Sequence, residues 1–403
     1  MKILSVFGTR PEAIKMAPVV AALQATPGVA SRVCVTGQHR SMLDSVLSTF
    51  ALAPDDDLDV MRPDQTLADV SARVMTGLDR ILADWRPDCV LVQGDTATST
   101  AAAMAAFFRR VPVGHVEAGL RTGNIASPWP EEANRRLTAV VADRHYAPTA
   151  RARDALLAEG HAPDRILVTG NTGIDALLRM AEVVGTPGPL KTALEERYAW
   201  IDPATRLILV TGHRRESFGD GFERICVALK ALAQLPGVQV VYPVHLNPNV
   251  REPVFRHLGS EPGIRLIEPL DYPDFVYLMT RASLILTDSG GVQEEAPVLR
   301  KPVLVMRDTS ERAEAIEAGV ARLVGTDPDV IVGEIRHLLS DAGAYAAMAS
   351  GASPFGDGHA SARIVGDLLG RSALPLPLRR PRAAIAREFV PAPRPAASVQ
   401  RIA

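Results

Sequence analysis

Carboxylates, a histidine and clustered cations stand where apolar runs break off in this 403-residue chain. Gln93-Gly94-Asp95-Thr96 ends one run and His115-Val116-Glu117-Ala118-Gly119 ends another. Pro128-Trp129-Pro130-Glu131-Glu132 opens a helical pattern, with Glu131 in its first turn. A single acid at a helix N-terminus often does no more than complement the helix dipole. Three acids at neighbouring strand and helix ends can do more. Carboxylates crowded into one cleft are pushed apart in proton affinity, which gives an acid and a base. In the second half, Gly212-His213-Arg214-Arg215-Glu216 sets His213, a group that titrates near neutral pH, beside a glycine and two cations. His245, after Tyr242-Pro243-Val244, is a second strand-end histidine in plainer surroundings.

Two further turns suit an anion. Gly8-Thr9-Arg10-Pro11-Glu12 ends the first apolar run, and Pro11 fits the first turn of a helix. Backbone N–H groups there, with Arg10 and Lys15, would hold a negative group. Two cations at one helix N-terminus oppose the helix dipole, which favours a functional reading. The sharpest signal is Thr287-Asp288-Ser289-Gly290-Gly291-Val292-Gln293-Glu294-Glu295. A strand runs into Ser289, Gly290 and Gly291 and then a helix, offering free N–H groups to a phosphate. Glu295, one turn in, is placed to accept hydrogen bonds from the vicinal hydroxyls of a ribose, and Arg312 adds a cation after the next strand. A helix cap would explain Ser289 but not two glycines followed by two acids. Together these features point to a nucleotide diphosphate held by the second half, with the acids of the first half facing whatever it carries. The chain has no GxGxxG, so no dinucleotide cofactor is expected. Its three scattered cysteines form no CxxC, so no metal site is expected either.

Such residues need a scaffold that gathers strand ends. Short apolar runs alternate with helical patterns, the signature of an α/β chain with parallel sheets. Strands are expected over 3–7, 32–36, 89–93, 111–116, 145–147 and 166–168, with helices over 11–25, 66–85, 98–110, 133–142 and 154–160. A Pro/Gly loop at 185–189 interrupts the pattern, which then restarts at 207–211 and runs on to a helix over 327–340. The expectation is two doubly wound, Rossmann-like domains, 1–180 and 190–358, with ligands in the cleft between them at the carboxyl ends of the strands.

The formal net charge of −2 excludes a globally basic nucleic-acid binder. It also averages two unlike parts. Residues 371–403 hold seven Arg and one acid, Glu388, for a net of +6, which leaves −8 on the rest. From about 374 the chain is Pro/Arg/Ala-rich and is expected to be a disordered tail. The apolar run 3–7 is too short for a signal peptide, and the run 101–108 falls well below the ~20 residues of a membrane span. A cytoplasmic chain with no membrane partner is expected.

Ten ordered motifs carry a family resemblance: GTRPEAIKMAPVV, TGQHR, QGDTATS, HVEAGLR, PEEANR, TGNTGIDAL, TGHRRE, YPVHLNPNV, LTDSGGVQEEAP and RDTSER. Over about residues 1–368 the chain resembles the non-hydrolysing UDP-N-acetylglucosamine 2-epimerases. The resemblance implies the GT-B fold, two Rossmann-like domains facing a central cleft, with a helix at 359–370 crossing back to the first domain. It implies reversible conversion of UDP-GlcNAc to UDP-ManNAc through loss and re-addition of UDP, without redox cofactor or metal, in a homodimer. Asp95, Glu117, Glu131 and His213 match the family's essential acids and histidine. Arg10, Lys15, His213, Phe275, Ser289, Gly290, Gly291, Glu295 and Arg312 match its UDP contacts, with Phe275 beside the uracil through its backbone. Leu270 stands where some members carry Gln, a departure that leaves any side-chain contact there open. Some members bind a second UDP-GlcNAc as an activator, and Gln38, Glu131, Arg214 and His245 match that site.

Overall fold

The computed structural model describes residues 1–37, 40–351 and 353–370. Gln38 and the tail expected from 374 therefore lie outside the described residues. Seven strands make one sheet: β1 (Lys2–Phe7), β2 (Ala30–Val35), β3 (Asp56–Asp57), β4 (Cys89–Gln93), β5 (Val113–Val116), β6 (Arg144–Ala147) and β7 (Ile166–Val168). Six make a second: β8 (Arg206–Thr211), β9 (Val238–Pro243), β10 (Ile264–Ile267), β11 (Leu284–Thr287), β12 (Val303–Val305) and β13 (Ala321–Leu323). The orders are β3-β2-β1-β4-β5-β6-β7 and β10-β9-β8-β11-β12-β13, parallel throughout. Each order reverses once, between β1 and β4 and between β8 and β11. Such a switch point opens a crevice at the strands' carboxyl ends.

The strands read as continuous apolar runs because helices cover both faces of each sheet. Alternation along β1 sends Ile3 and Phe7 into one core and Leu4 and Val6 into the other. In β8, Leu207 and Leu209 face one core while Ile208 and Val210 face the other. The three cysteines are buried and unpaired, and burial pushes their thiols up, so they pack as small apolar groups.

Two helices tie the halves together. Thr172–Gly185 follows β7, yet its Ile174, Leu177 and Met180 pack into the core of the second sheet. Ala360–Leu368 returns to the first sheet, where Ile364 and Val365 join the core beside the helix Arg10–Gln24. Asp175 caps this last helix through Ala360 N (3.2 Å) and Ser361 N (2.8 Å), and Asp367 pairs with Arg144.

Several helices escaped the sequence pattern: Arg40–Thr49, Thr172–Gly185, Pro189–Arg197, Pro248–Leu258 and Ala342–Ala349. The expected loop at 185–189 is shorter than expected, because Gly185 closes one helix and Pro189 opens the next, leaving only 186–188 as the turn. Among the described residues, no helix is long and apolar enough to cross a membrane.

Candidate active site

The turn after β1 is built by a capping box. Thr9 caps the helix Arg10–Gln24, and Glu12 Oε2 accepts the N–H groups of Gly8 (3.0 Å) and Thr9 (2.7 Å). Glu12 Oε1 accepts from Thr96 Oγ1 at 2.7 Å, so this buried acid also ties the β1 turn to the β4 turn. Burial raises its proton affinity against the pull of those hydrogen bonds. Gly8 has no substitute: a Cβ there would lie 2.0 Å from Thr36 Oγ1. The box sends Arg10 across the cleft and leaves Lys15 within the first half. Arg10 Nη2 donates to the backbone carbonyl of Leu270 at 3.0 Å, a contact that needs no particular side chain at 270. The two cations do not stand unopposed at the helix N-terminus, as the pattern suggested. Glu12 occupies the same turn, and Lys15 pairs with Glu117.

The acids converge from β4, β5 and the helix Glu131–Val141. Asp95 follows Gly94, whose φ is +69°, and Arg135 pairs with its carboxylate. Asn134 Nδ2 holds the Asp95 carbonyl at 2.9 Å, and His115 Nε2 holds the Gly94 carbonyl at 2.7 Å. Burial pushes His115 down to about 4, so it is neutral and this nitrogen carries the proton. Glu132 is fully buried and accepts from Thr122 N, Arg135 and Arg136, which fixes the Arg135 that holds Asp95. Glu117 sits at φ +63°, and its Oε2 takes both Lys15 Nζ at 2.5 Å and Gln93 Nε2 at 2.8 Å. Burial raises the Glu117 pKa, with the Lys15 ammonium opposing it. Glu131 begins its helix, and its Oε2 is buried without a hydrogen-bond partner.

The opposite wall is the second switch point. β8 and β11 are neighbours, so the turns carrying His213 and Ser289 lie side by side. Asp288, fully buried between them, accepts the backbone N–H of His213 (2.7 Å) and of Arg214 (2.8 Å) on Oδ2. Its Oδ1 faces His213 Nδ1 at 3.3 Å. Burial depresses the His213 pKa, and Asp288 partly restores it. The helix Gly290–Val298 begins at Ser289 with no side-chain cap, so its first N–H groups remain available to an anion. Guanidinium groups flank that turn. A Cβ on Gly290 would lie 3.3 Å from Arg312 Cζ and 3.6 Å from Arg214 Nη2. Arg312 Nε donates to Glu294 Oε1 at 2.7 Å, and Asn171 Nδ2, from the far side of the cleft, donates to Glu294 Oε2 at 2.5 Å. Glu295 makes no side-chain hydrogen bond among the described residues, and burial pushes it up to about 8. Phe275 packs half-buried against the core of the second sheet, and its backbone N–H already donates to Asp271 O at 3.0 Å.

Arg214 and His245 do not form a separate patch. Arg214 borders Gly290, and the His245 ring stacks on His213 with centroids 5.5 Å apart. Sequence reasoning passed over Glu12, Asp288, Glu294, Arg135 and Asn171 as site residues. Thr9 and Glu12 at capping-box spacing offered a signal for the first. Nothing in the sequence tells which of Glu294 and Glu295 turns to Arg312.

Donors, cations and acids thus line a cleft suited to a phosphorylated ligand and to proton transfer beside it. The profile of the family described as UDP-N-acetylglucosamine 2-epimerase matches residues 21–369. A UDP-N-acetylglucosamine 2-epimerase of Escherichia coli strain K12 is 57% identical over 366 residues, covering 91% of this chain and 97% of that one. The chain belongs to the UDP-N-acetylglucosamine 2-epimerase family. Among solved structures, the Neisseria meningitidis UDP-GlcNAc 2-epimerase bound to UDP-GlcNAc superposes with a TM-score of 0.85 at 49% identity, covering 92% of this chain and all of that one. The Methanocaldococcus jannaschii UDP-GlcNAc 2-epimerase in complex with UDP-GlcNAc and UDP gives 0.76 at 31% identity, covering 92% of this chain and 100% of that one. The epimerase fold is the GT-B arrangement, two parallel α/β sheet units facing a cleft.

Proposed function

We propose that this family member interconverts UDP-GlcNAc and UDP-ManNAc without net hydrolysis. A base removes the C2 proton, and the C1–O bond breaks with its electron pair leaving on UDP. The 2-acetamidoglucal left behind takes a proton at C2 from the opposite face, and UDP adds back at C1. The C2 proton is a very weak acid, so the reaction needs a base, an acid on the other face and cations for the departing diphosphate. The observation that carries this reading is the meeting of Asp95 and the Lys15–Glu117 pair with a glycine turn flanked by Arg312 and Arg214.

Asp95 and Glu117 take the proton transfers, and Glu131 takes a positioning or acid–base part. His213, Arg10, Lys15 and Arg312 with the Ser289–Gly291 turn hold the diphosphate, Glu295 takes the ribose hydroxyls and Phe275 flanks the base. The acids belong to an N-terminal domain at 1–180 and the UDP contacts to a C-terminal one at 190–358. Arg214 and His245, with Gln38 and Glu131, serve a second UDP-GlcNAc where one binds as activator. The setting is cytoplasmic, and the product supplies ManNAc for cell-surface polysaccharide. The working unit is a homodimer. Its support is an apolar face on two packed helices, Ala97–Phe108 and Glu131–Val141, where Phe107, Phe108, Leu137 and Val140 lie exposed.

Incubation with UDP-GlcNAc in D2O tests the reaction by proton NMR. UDP-ManNAc with deuterium at C2, formed without acceptor, is expected. Free ManNAc as main product would mean a hydrolysing enzyme, and no exchange at C2 without an acceptor would mean a transferase. Asp95→Asn and Glu117→Gln should each cut turnover at least about 100-fold while UDP still binds.

A further inference from the structure

Two cations of the cleft are already spoken for by carboxylates of the protein. Arg312 is held by Glu294, and Lys15 by Glu117. The two pairs are neighbours: Glu294 and Arg312 both act electrostatically on Lys15, and Glu294 and Asp95 act on Glu117. The Lys15 side chain is 26% exposed and that of Glu117 only 7%. The lysine is therefore the more accessible member of the pair.

We propose that Lys15 divides its charge between Glu117 and the diphosphate of a bound nucleotide sugar, so that substrate binding weakens the counter-ion of Glu117 and makes it the stronger base. The inference rests on the nucleotide-sugar reading above. A diphosphate carries two negative charges against one on Glu117, and it docks beside Arg312, the cation that already neighbours Lys15. Lys15 is the only ammonium in contact with Glu117 among the described residues, and Gln93 is the other donor on the same oxygen. As Lys15 turns to the phosphate, Glu117 keeps one neutral donor and two acidic neighbours, Glu294 and Asp95. Burial already favours its protonated form, so the loss of a cation acts in the same direction. The base is thus held quiet by its own lysine in the empty site and strengthened when the leaving group arrives. As UDP departs it gains charge, which draws Lys15 further from Glu117.

The consequence is proton uptake on binding. UDP-GlcNAc is the probe, because its diphosphate diester has no titrating proton near neutral pH and its epimerisation exchanges no net proton with buffer. Calorimetric titration of the full-length Glu295→Gln chain at neutral pH, in buffers of different ionisation enthalpy, should show proton uptake on binding. Added to that chain, Glu117→Gln and Lys15→Gln should each abolish the uptake. The unaltered chain should show less uptake than Glu295→Gln, because Glu295, largely protonated in the empty site, gives up its proton to meet the ribose. Circular dichroism melts confirm that each variant is folded, and the Lys15 variant keeps the test open should the Glu117 variant fail to fold. Binding heat that is independent of buffer in Glu295→Gln overturns the inference alone, as does uptake that survives when Glu117→Gln is added to it. An absence of binding heat overturns the nucleotide-sugar reading and the inference with it.

Discussion

His213 Nδ1 stands 3.3 Å from Oδ1 of the fully buried Asp288, and the other oxygen of that carboxylate accepts the backbone N–H of His213 itself at 2.7 Å. One acid therefore sets both the ring and the turn beneath it. Oδ1 has no hydrogen bond among the described residues, so a proton on Nδ1 is what this carboxylate favours, and Nε2 is left to the cleft. Asp288→Asn should lower turnover about 10- to 100-fold, the scale of a lost charge-assisted hydrogen bond. It should also move the NMR titration midpoint of His213 further below the ordinary histidine value, since burial would act unopposed. An unchanged midpoint with near-normal turnover would sink the assignment.

Arg10 reaches the main chain at Leu270 and not a side chain. Leu270→Gln should therefore leave UDP affinity within about twofold, while Arg10→Ala should weaken it about tenfold through loss of a charged donor. Fluorescence or calorimetric binding of UDP separates the two. Equal losses in both variants would show that the 270 side chain matters after all.

Burial pushes Glu295 up to about 8, so at neutral pH it is largely protonated and becomes a pure acceptor only above that. Uridine, which carries no phosphate, should bind up to about eightfold more tightly at about pH 8.5 than at about pH 7. Glu295→Gln should flatten the dependence. A flat profile in the unaltered chain would remove Glu295 from the ribose contact.

His145 lies buried beside His115 with neither ring nitrogen hydrogen-bonded, and burial pushes it down to about 3. The folded chain keeps it neutral, while the unfolded chain takes up a proton near the ordinary histidine value. The stability it contributes is present above that value and is lost as the pH falls towards the folded one. His145→Phe breaks no hydrogen bond and keeps a ring against His161, 4.6 Å away. Urea unfolding should find the variant no less stable near pH 8 and about 2 kcal/mol more stable than the unaltered chain near pH 5. Parallel losses on acidification in both proteins would refute this.

Val140 is 76% exposed and Phe108 62%, on packed helices whose opposite faces are core. If the proposed homodimer uses this face, Phe108→Glu combined with Val140→Glu should give a monomer in light scattering after size exclusion, with the fold retained. A monomer before substitution would dispose of the homodimer itself.

The chain order of apolar runs and breaks determined most of this protein. Buried parallel strands need long apolar stretches and end abruptly, so β4, β7 and β11 are found where the pattern put them, and Asp95, Glu117, His213 and Ser289 were legible as strand-end residues. The helices that escaped carry signals a short window reads as breaks, as with Pro253 inside Pro248–Leu258. What only the tertiary structure decided is pairing. Lys15 and Glu117 lie far apart in sequence, as do Asn171 and Glu294; the first contact depends on how the turns of one sheet come together, the second on how the two sheets face each other. Residue type and local spacing reveal that a side chain can be charged and where its strand stops. Which opposite charge meets it, and how far burial then moves its proton affinity, follows from long-range packing, and that packing joined the Lys15–Glu117 and His213–Asp288 pairs into one site.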